Sequence, residues 1–251
     1  MPEDNEWTPE AQAQFQSLDL RRMSPKVMPL FAQNSNGWLH GSCVLVRYND
    51  RHFAATAAHC LVGEIAINCP GAIIGERDNR LYGHLPYKVL QTMRHSTLDL
   101  GVMELDRPIG EELLPENLDL HELTKVDQSI HLIGFPCSRI MHYDLIQQKF
   151  YERNALGLRI DQINNQTIKC DYPTSGIMTE GSDWVETDLP ITPHGFSGGG
   201  GFQFIRQEQS RGGIVKVEDR LLGIQSYWDS IQRIAVLIQS KHLVDLIKSI
   251  L

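Results

Sequence analysis

The stretch Phe53-Ala54-Ala55-Thr56-Ala57-Ala58-His59-Cys60 opens as a β-type run and stops in small residues just before a histidine. Two other segments share that look of a strand end carrying one polar group. Ser96-Thr97-Leu98-Asp99-Leu100-Gly101-Val102-Met103-Glu104-Leu105 places an aspartate at the mouth of an apolar strand. His194-Gly195-Phe196-Ser197-Gly198-Gly199-Gly200-Gly201 embeds a serine in glycines. Each has an ordinary explanation by itself: a glycine-rich turn, a structural histidine among ten, an aspartate capping a turn. Together they supply the parts of a hydroxyl nucleophile.

A serine hydroxyl attacks only when a base removes its proton, and histidine, with a reference pKa of about 6.5, suits that task near neutral pH. A carboxylate fixes the imidazole tautomer and stabilises the imidazolium. Glycines let the backbone turn tightly and aim N–H groups at a developing oxyanion. The expected roles are Ser197 as nucleophile, His59 as general base, Asp99 as the group orienting it, and the N–H groups of Gly195 and Ser197 as the oxyanion hole. Activity should then rise over about pH 6–7.5, where a free imidazole loses its proton.

Strand-length apolar or alternating runs surround these segments, at 42–47, 52–57, 98–105, 129–135, 214–217, 221–227 and 234–238, with Gly, Pro, Asn and Asp between many of them. That texture predicts an antiparallel β sandwich or barrel. A weak helical pattern falls near 111–123. A stronger one closes the chain, with Ser240 as its N-cap and Leu243, Leu246, Ile247 and Ile250 at helical spacing. Residues 1–25 read as a charged extension outside the core.

The whole chain of 251 residues carries a net charge of −8, which argues against nucleic acid as a main partner. No apolar run reaches the roughly 18 residues of a membrane helix, so no membrane partner is expected. The acidic, polar residues 1–22 lack the basic start and apolar middle of a secretion signal, and the expected location is the cytoplasm. Five cysteines (Cys43, Cys60, Cys69, Cys137 and Cys170) form neither a paired framework nor a zinc pattern. They are expected to be mostly buried thiols, and no metal or other cofactor is expected.

In the order His59, Asp99, Ser197, separated by 40 and 98 residues, the three motifs resemble those of the trypsin-like (chymotrypsin-fold) serine peptidases. TAAHC at 56–60 resembles the histidine signature, LDLGVMEL at 98–105 the aspartate strand, and GFSGG at 195–199 the GDSGG loop. Gly41-Ser42 resembles the start of the strand before the histidine, and 222–228 the substrate-binding strand. The resemblance runs over residues 27–251. It implies an all-β fold of two six-stranded antiparallel β-barrels with a C-terminal α-helix. The first barrel would span 26–120 and carry His59 and Asp99. The second would span 121–251 and carry Ser197, with the helix at 240–251. It also implies a serine endopeptidase acting on protein or peptide substrates through an acyl-enzyme.

Several positions depart from the family pattern. Phe196 stands where secreted members have the aspartate that pairs with a new N-terminal ammonium, and no IVGG-like start is present. The oxyanion loop must then be ordered by packing or by an activating partner. HLIGFP at 131–136 resembles a segment of bacterial and viral-type intracellular relatives that need no such activation. The partner of the usual disulfide to Cys60 aligns to Leu39, with Cys43 four residues on. Ile191, six residues before the serine, aligns to the base of the primary pocket, with Thr192 beside it. Ser226, Tyr227 and Trp228 would complete the substrate-binding set, with the Ser226 side chain supporting Asp99. Trp228 either narrows the pocket mouth or packs against Tyr227 or the terminal helix. An apolar pocket base predicts cleavage after small or medium apolar residues rather than Lys or Arg. The alternative reading is a latent or catalytically weak protease-fold module that binds peptides or partners.

Overall fold

The computed structural model describes residues 26–34, 37–61, 88–118, 125–135, 154–172, 178–179, 185–186, 194–207 and 216–251. The extension 1–25 and the proposed boundary at 120/121 lie outside them. The first five strands form one antiparallel sheet: β1 (Val27–Asn34), β2 (Gly37–Tyr48), β3 (Arg51–Thr56), β4 (Val89–Arg94) and β5 (Gly101–Leu105), in the order β1-β2-β3-β5-β4. Five strands, not six, fall among the described residues of this half. The remaining strands are β6 (Ser129–Gly134), β7 (Asn154–Ile163), β8 (Thr167–Asp171), β9 (Met178–Thr179), β10 (Val185–Glu186), β11 (Gly200–Gln207), β12 (Lys216–Asp229) and β13 (Ile234–Gln239). Their order is β10-β9-β7-β6-β11-β12-β13-β8, and a further β7–β8 pairing closes six of them into a barrel. A barrel has no open edge, which removes the unpaired backbone groups a flat sheet would expose.

Three apolar clusters fill this architecture. Leu45, Ala54, Met103 and Leu105 pack inside the first sheet with Met28, Cys43 and Cys60. Leu132, Leu156, Leu158, Phe196, Leu222 and Leu237 fill the second barrel. The third cluster joins the halves: Val44, Val46, Phe53 and Val102 of the first sheet meet Ile133, Phe202, Leu221 and Ile224 of the second. Strand β2 therefore sends Cys43 and Leu45 to one cluster and Val44 and Val46 to another. Burial on both faces is why its sequence reads as a continuous apolar run rather than an alternating one.

Helix α1 (Ser240–Lys248) adds Leu243, Val244, Leu246 and Ile247 to the joining cluster, with Ile250 against it. Its N-cap is Gln239, so Ser240 is the first helical residue and not the cap. The helix expected near 111–123 does not form over its described part. Pro115 starts a single 3-10 turn, Pro115–Asn117, and Leu113 and Leu118 make isolated strand-like bridges to Val46 and Leu221. Proline removes the donor a longer helix needs, and the two leucines gain more by joining the inter-half cluster. No helix among the described residues is long and apolar enough to cross a membrane.

Candidate active site

His59 sits in a one-turn 3-10 helix, Ala58–Cys60, directly after β3. The turn is tied by Cys60 N–H to the Ala57 carbonyl at 3.0 Å and Leu61 N–H to Ala58 at 3.0 Å. The small residues before it are needed because Ala55 and Ala57 are wholly buried between clusters. Asp99 lies in the turn from β4 to β5. His95 shapes that turn, its Nδ1 accepting the N–H groups of Thr97 at 3.2 Å and Leu98 at 3.1 Å. Its own N–H reaches the Leu100 carbonyl at 2.8 Å.

Two bonds join His59 to Asp99. The His59 main-chain N–H donates to Oδ1 at 2.9 Å, and Nδ1 lies 2.7 Å from Oδ2. With Nδ1–H donating to the carboxylate, Nε2 is the nitrogen turned to other work. The Ser226 hydroxyl donates to the same Oδ2 at 2.8 Å. A register shift in the β12–β13 pairing falls between Gln225 and Tyr227, so Ser226 is the extra residue of a β-bulge. Such bulges re-aim a side chain, and this one supplies the second barrel's contact with Asp99.

The serine loop is fixed by its carbonyls. Gly195 C=O accepts Ser42 Oγ at 2.8 Å, Phe196 C=O accepts Gly199 N–H at 2.7 Å, and Ser197 C=O accepts Ser42 N–H at 2.7 Å. Gly198 N–H donates to Gln225 C=O at 2.7 Å. None of these bonds uses the N–H of Gly195 or of Ser197. Gly195 and Gly198 have φ of 97° and 86°, the left-handed region where side chains are strained. A Cβ on Gly198 would also lie 2.0 Å from the Ser42 carbonyl oxygen. The Cys60 Sγ lies 3.7 Å from the Ser197 carbonyl oxygen, so the serine main chain runs beside the residue next to His59.

Phe196 is fully buried in the second-barrel cluster, its ring against Gly134 at the end of β6. Packing therefore stands where the ion pair of secreted members would be. The position facing Cys60 is Gly41 rather than Leu39: a Cβ there would come 2.8 Å from Sγ. Glycine carries no thiol, and Cys60 is a buried thiol, not half of a disulfide. Tyr227 is exposed, while Trp228 packs against Tyr172, ring centroids 4.0 Å apart, beside the second-barrel cluster. Ile191 and Thr192 lie outside the described residues.

The hydrogen bond from Asp99, with a further contribution from Cys60, raises the His59 pKa to about 10 against the opposing effect of burial. Burial pushes Asp99 upward, but the bonds from the His59 side chain, Ser226 and the His59 main chain outweigh it and hold the carboxyl below its ordinary value. The expected activity window accordingly moves above the pH 6–7.5 of a free imidazole. Ser42 and His95 are the residues of this site that motif reading did not single out for a role. In the sequence Gly41-Ser42 resembles only a strand start, and His95 has no signal beyond lying four residues before Asp99.

This is the chymotrypsin fold, the architecture of the trypsin-like serine peptidases, with its motifs at the junction of the two halves. Solved structures similar to the chain include the active form of the Rv3671c protease from M. tuberculosis. It has a TM-score of 0.56 and 12% identity, over 94% of this chain and 85% of that one. The scabies mite inactivated protease paralogue S-I1 is similar at TM-score 0.55 and 15% identity, over 91% and 94%. Kallikrein-related peptidase 10 in complex with Zn2+ follows at 0.53 and 17%, over 90% and 95%. No protein-family model and no curated protein matches the sequence. At these identities the likeness is one of fold, and it spans both active and inactivated proteases.

Proposed function

We propose that the chain is a serine endopeptidase: Ser197 Oγ attacks the peptide carbonyl, His59 Nε2 takes the proton, and Asp99 holds the imidazole. The N–H groups of Gly195 and Ser197 bind the oxyanion, and His59 passes the serine proton to the leaving amine as the C–N bond breaks. In the second half His59 takes a proton from the water that attacks the acyl-enzyme and returns it to Ser197 Oγ as the acid leaves. One observation carries this reading. Asp99 is gripped by His59 twice and by Ser226 from the opposite barrel, a linkage of three polar groups that packing alone does not require. The pocket is proposed to favour small or medium apolar residues on the strength of Ile191, and a peptide library checks that preference.

The test is labelling by a fluorophosphonate probe. Wild type should label strongly, and Ser197→Ala and His59→Ala should not. A wild type that stays unlabelled would point to the latent peptide-binding module instead, in keeping with the inactivated paralogue that shares the fold.

A further inference from the structure

We infer that Ser42 is a positioning residue for the oxyanion hole, a neutral tether from the first half of the molecule that presets the serine loop. The inference rests on the endopeptidase reading of the same site and concerns how that site is held ready. The residue before Ser197 is an apolar ring buried in the core, so it cannot anchor the loop by charge. Packing of Phe196 fixes where the loop lies. It does not fix how the peptide planes on either side are rotated, and an oxyanion hole depends on that rotation.

Ser42 is wholly buried, and each of its polar groups is engaged. Its N–H donates to Ser197 C=O at 2.7 Å, and its carbonyl accepts Thr56 Oγ1 at 2.7 Å. Its hydroxyl accepts the Phe135 N–H at 2.9 Å and lies 2.8 Å from Gly195 C=O. A hydroxyl has one proton and two lone pairs. Because Phe135 N–H occupies a lone pair and Gly195 offers only an acceptor, the proton must point at Gly195. The bond therefore has a single sense.

Of the three successive loop carbonyls, the first and third are held by this one residue and the middle one by Gly199 N–H. A peptide unit is planar and trans, so holding each carbonyl aims the N–H of the same unit the other way. The Phe196–Ser197 unit thereby presents the Ser197 N–H. The Gly195–Phe196 unit, clamped by Ser42, sets the frame about which the Gly195 N–H turns, at a glycine with φ of 97° that has little steric restraint of its own. Ser42 acts only through these groups and touches no reacting atom.

Ser42→Ala keeps the main-chain bonds and removes the hydroxyl, while Ser42→Cys restores a weaker donor and acceptor. Two readouts separate this inference from the function it rests on. Deuterium exchange of the 194–200 segment should quicken roughly tenfold in Ser42→Ala, the scale of one lost neutral hydrogen bond, and recover in part in Ser42→Cys. In turnover of a peptide substrate, kcat should fall roughly 100-fold with KM nearly unchanged, as for a reacting geometry displaced by about 1 Å. Binding of a peptide boronic acid should weaken in step with kcat, and binding of a product peptide should not. Unaltered exchange, or altered exchange with kcat intact, overturns the role given to Ser42. If wild type neither labels nor turns over, the endopeptidase reading fails, and exchange alone then decides whether Ser42 tethers the loop.

Discussion

At His59 the decisive quantity is the balance between hydrogen bonding and burial. The side chain is 46% exposed, so water screens the pair, and the upward shift reflects the short Nδ1 bond to Asp99 outweighing the downward effect of burial. The sign differs for stability and for activity. A raised folded-state pKa stabilises the fold below the unfolded value of about 6.5 and gives that stability up as pH rises through the folded value near 10. On the endopeptidase reading His59 can act as a base only after its proton has left, so kcat/KM should climb as pH rises through the folded value. Since kcat/KM reports the free enzyme, its midpoint should lie clearly above 6.5, and Asp99→Asn should return it toward 6.5 while lowering the plateau by roughly 10⁴-fold. A wild-type midpoint at or below 6.5 would sink the assignment of Asp99 as the dominant influence. As candidates, His59, Asp99 and Ser197 were legible because each sits in a short motif whose neighbours announce it. Ser42 was not, because its hydroxyl partners lie 153 and 93 residues away and no local pattern encodes them.

Among the elements, the serine loop shows how one substitution changes the way order is achieved. Phe196 places a large apolar side chain in the second-barrel core, where it meets Gly134 and shares a cluster with Leu132 and Leu222. Phe196→Ala should destabilise the protein by about 3–5 kcal/mol in chemical denaturation and slow fluorophosphonate labelling at temperatures where the protein stays folded. Phe196→Leu, nearer in volume, should cost about 1.5 kcal/mol or less and keep most of the labelling rate. Equal labelling in all three proteins would show that the ring fills space without ordering the loop. The same physics decides which strands the sequence displays. Strands β3, β6 and β13 were legible in their apolar runs. Strand β7 was missed because Arg159 and Asp161 interrupt it on the face turned away from the barrel, while Leu156, Leu158 and Ile160 point in. The segment after 111 has helical spacing, but tertiary pairing of Leu113 and Leu118 overrides it.

Across the whole molecule, the proposed site is divided between halves that share one apolar cluster. His59 and Asp99 ride on the first sheet, Ser197 and Ser226 on the second barrel, and α1 seals the joint through Leu243, Val244 and Ile247. Val102, three residues from Asp99, and Ile224, two from Ser226, belong to that same cluster, so neither half can loosen without exposing its share of it. The halves should therefore unfold together. Two buried thiols report this independently, Cys60 inside the first sheet and Cys170 inside the second barrel. Burial protects both, and it also pushes the Cys170 thiol up to about 12, so reaction with an alkylating reagent requires opening. With increasing denaturant, site-resolved mass spectrometry should find both cysteines becoming reactive at one midpoint, as a two-state transition demands. Two separated midpoints would mean that the shared cluster does not couple the halves. The linkage of Asp99 to Ser226 would then break as the first half to unfold lets go, and activity should vanish at the lower midpoint.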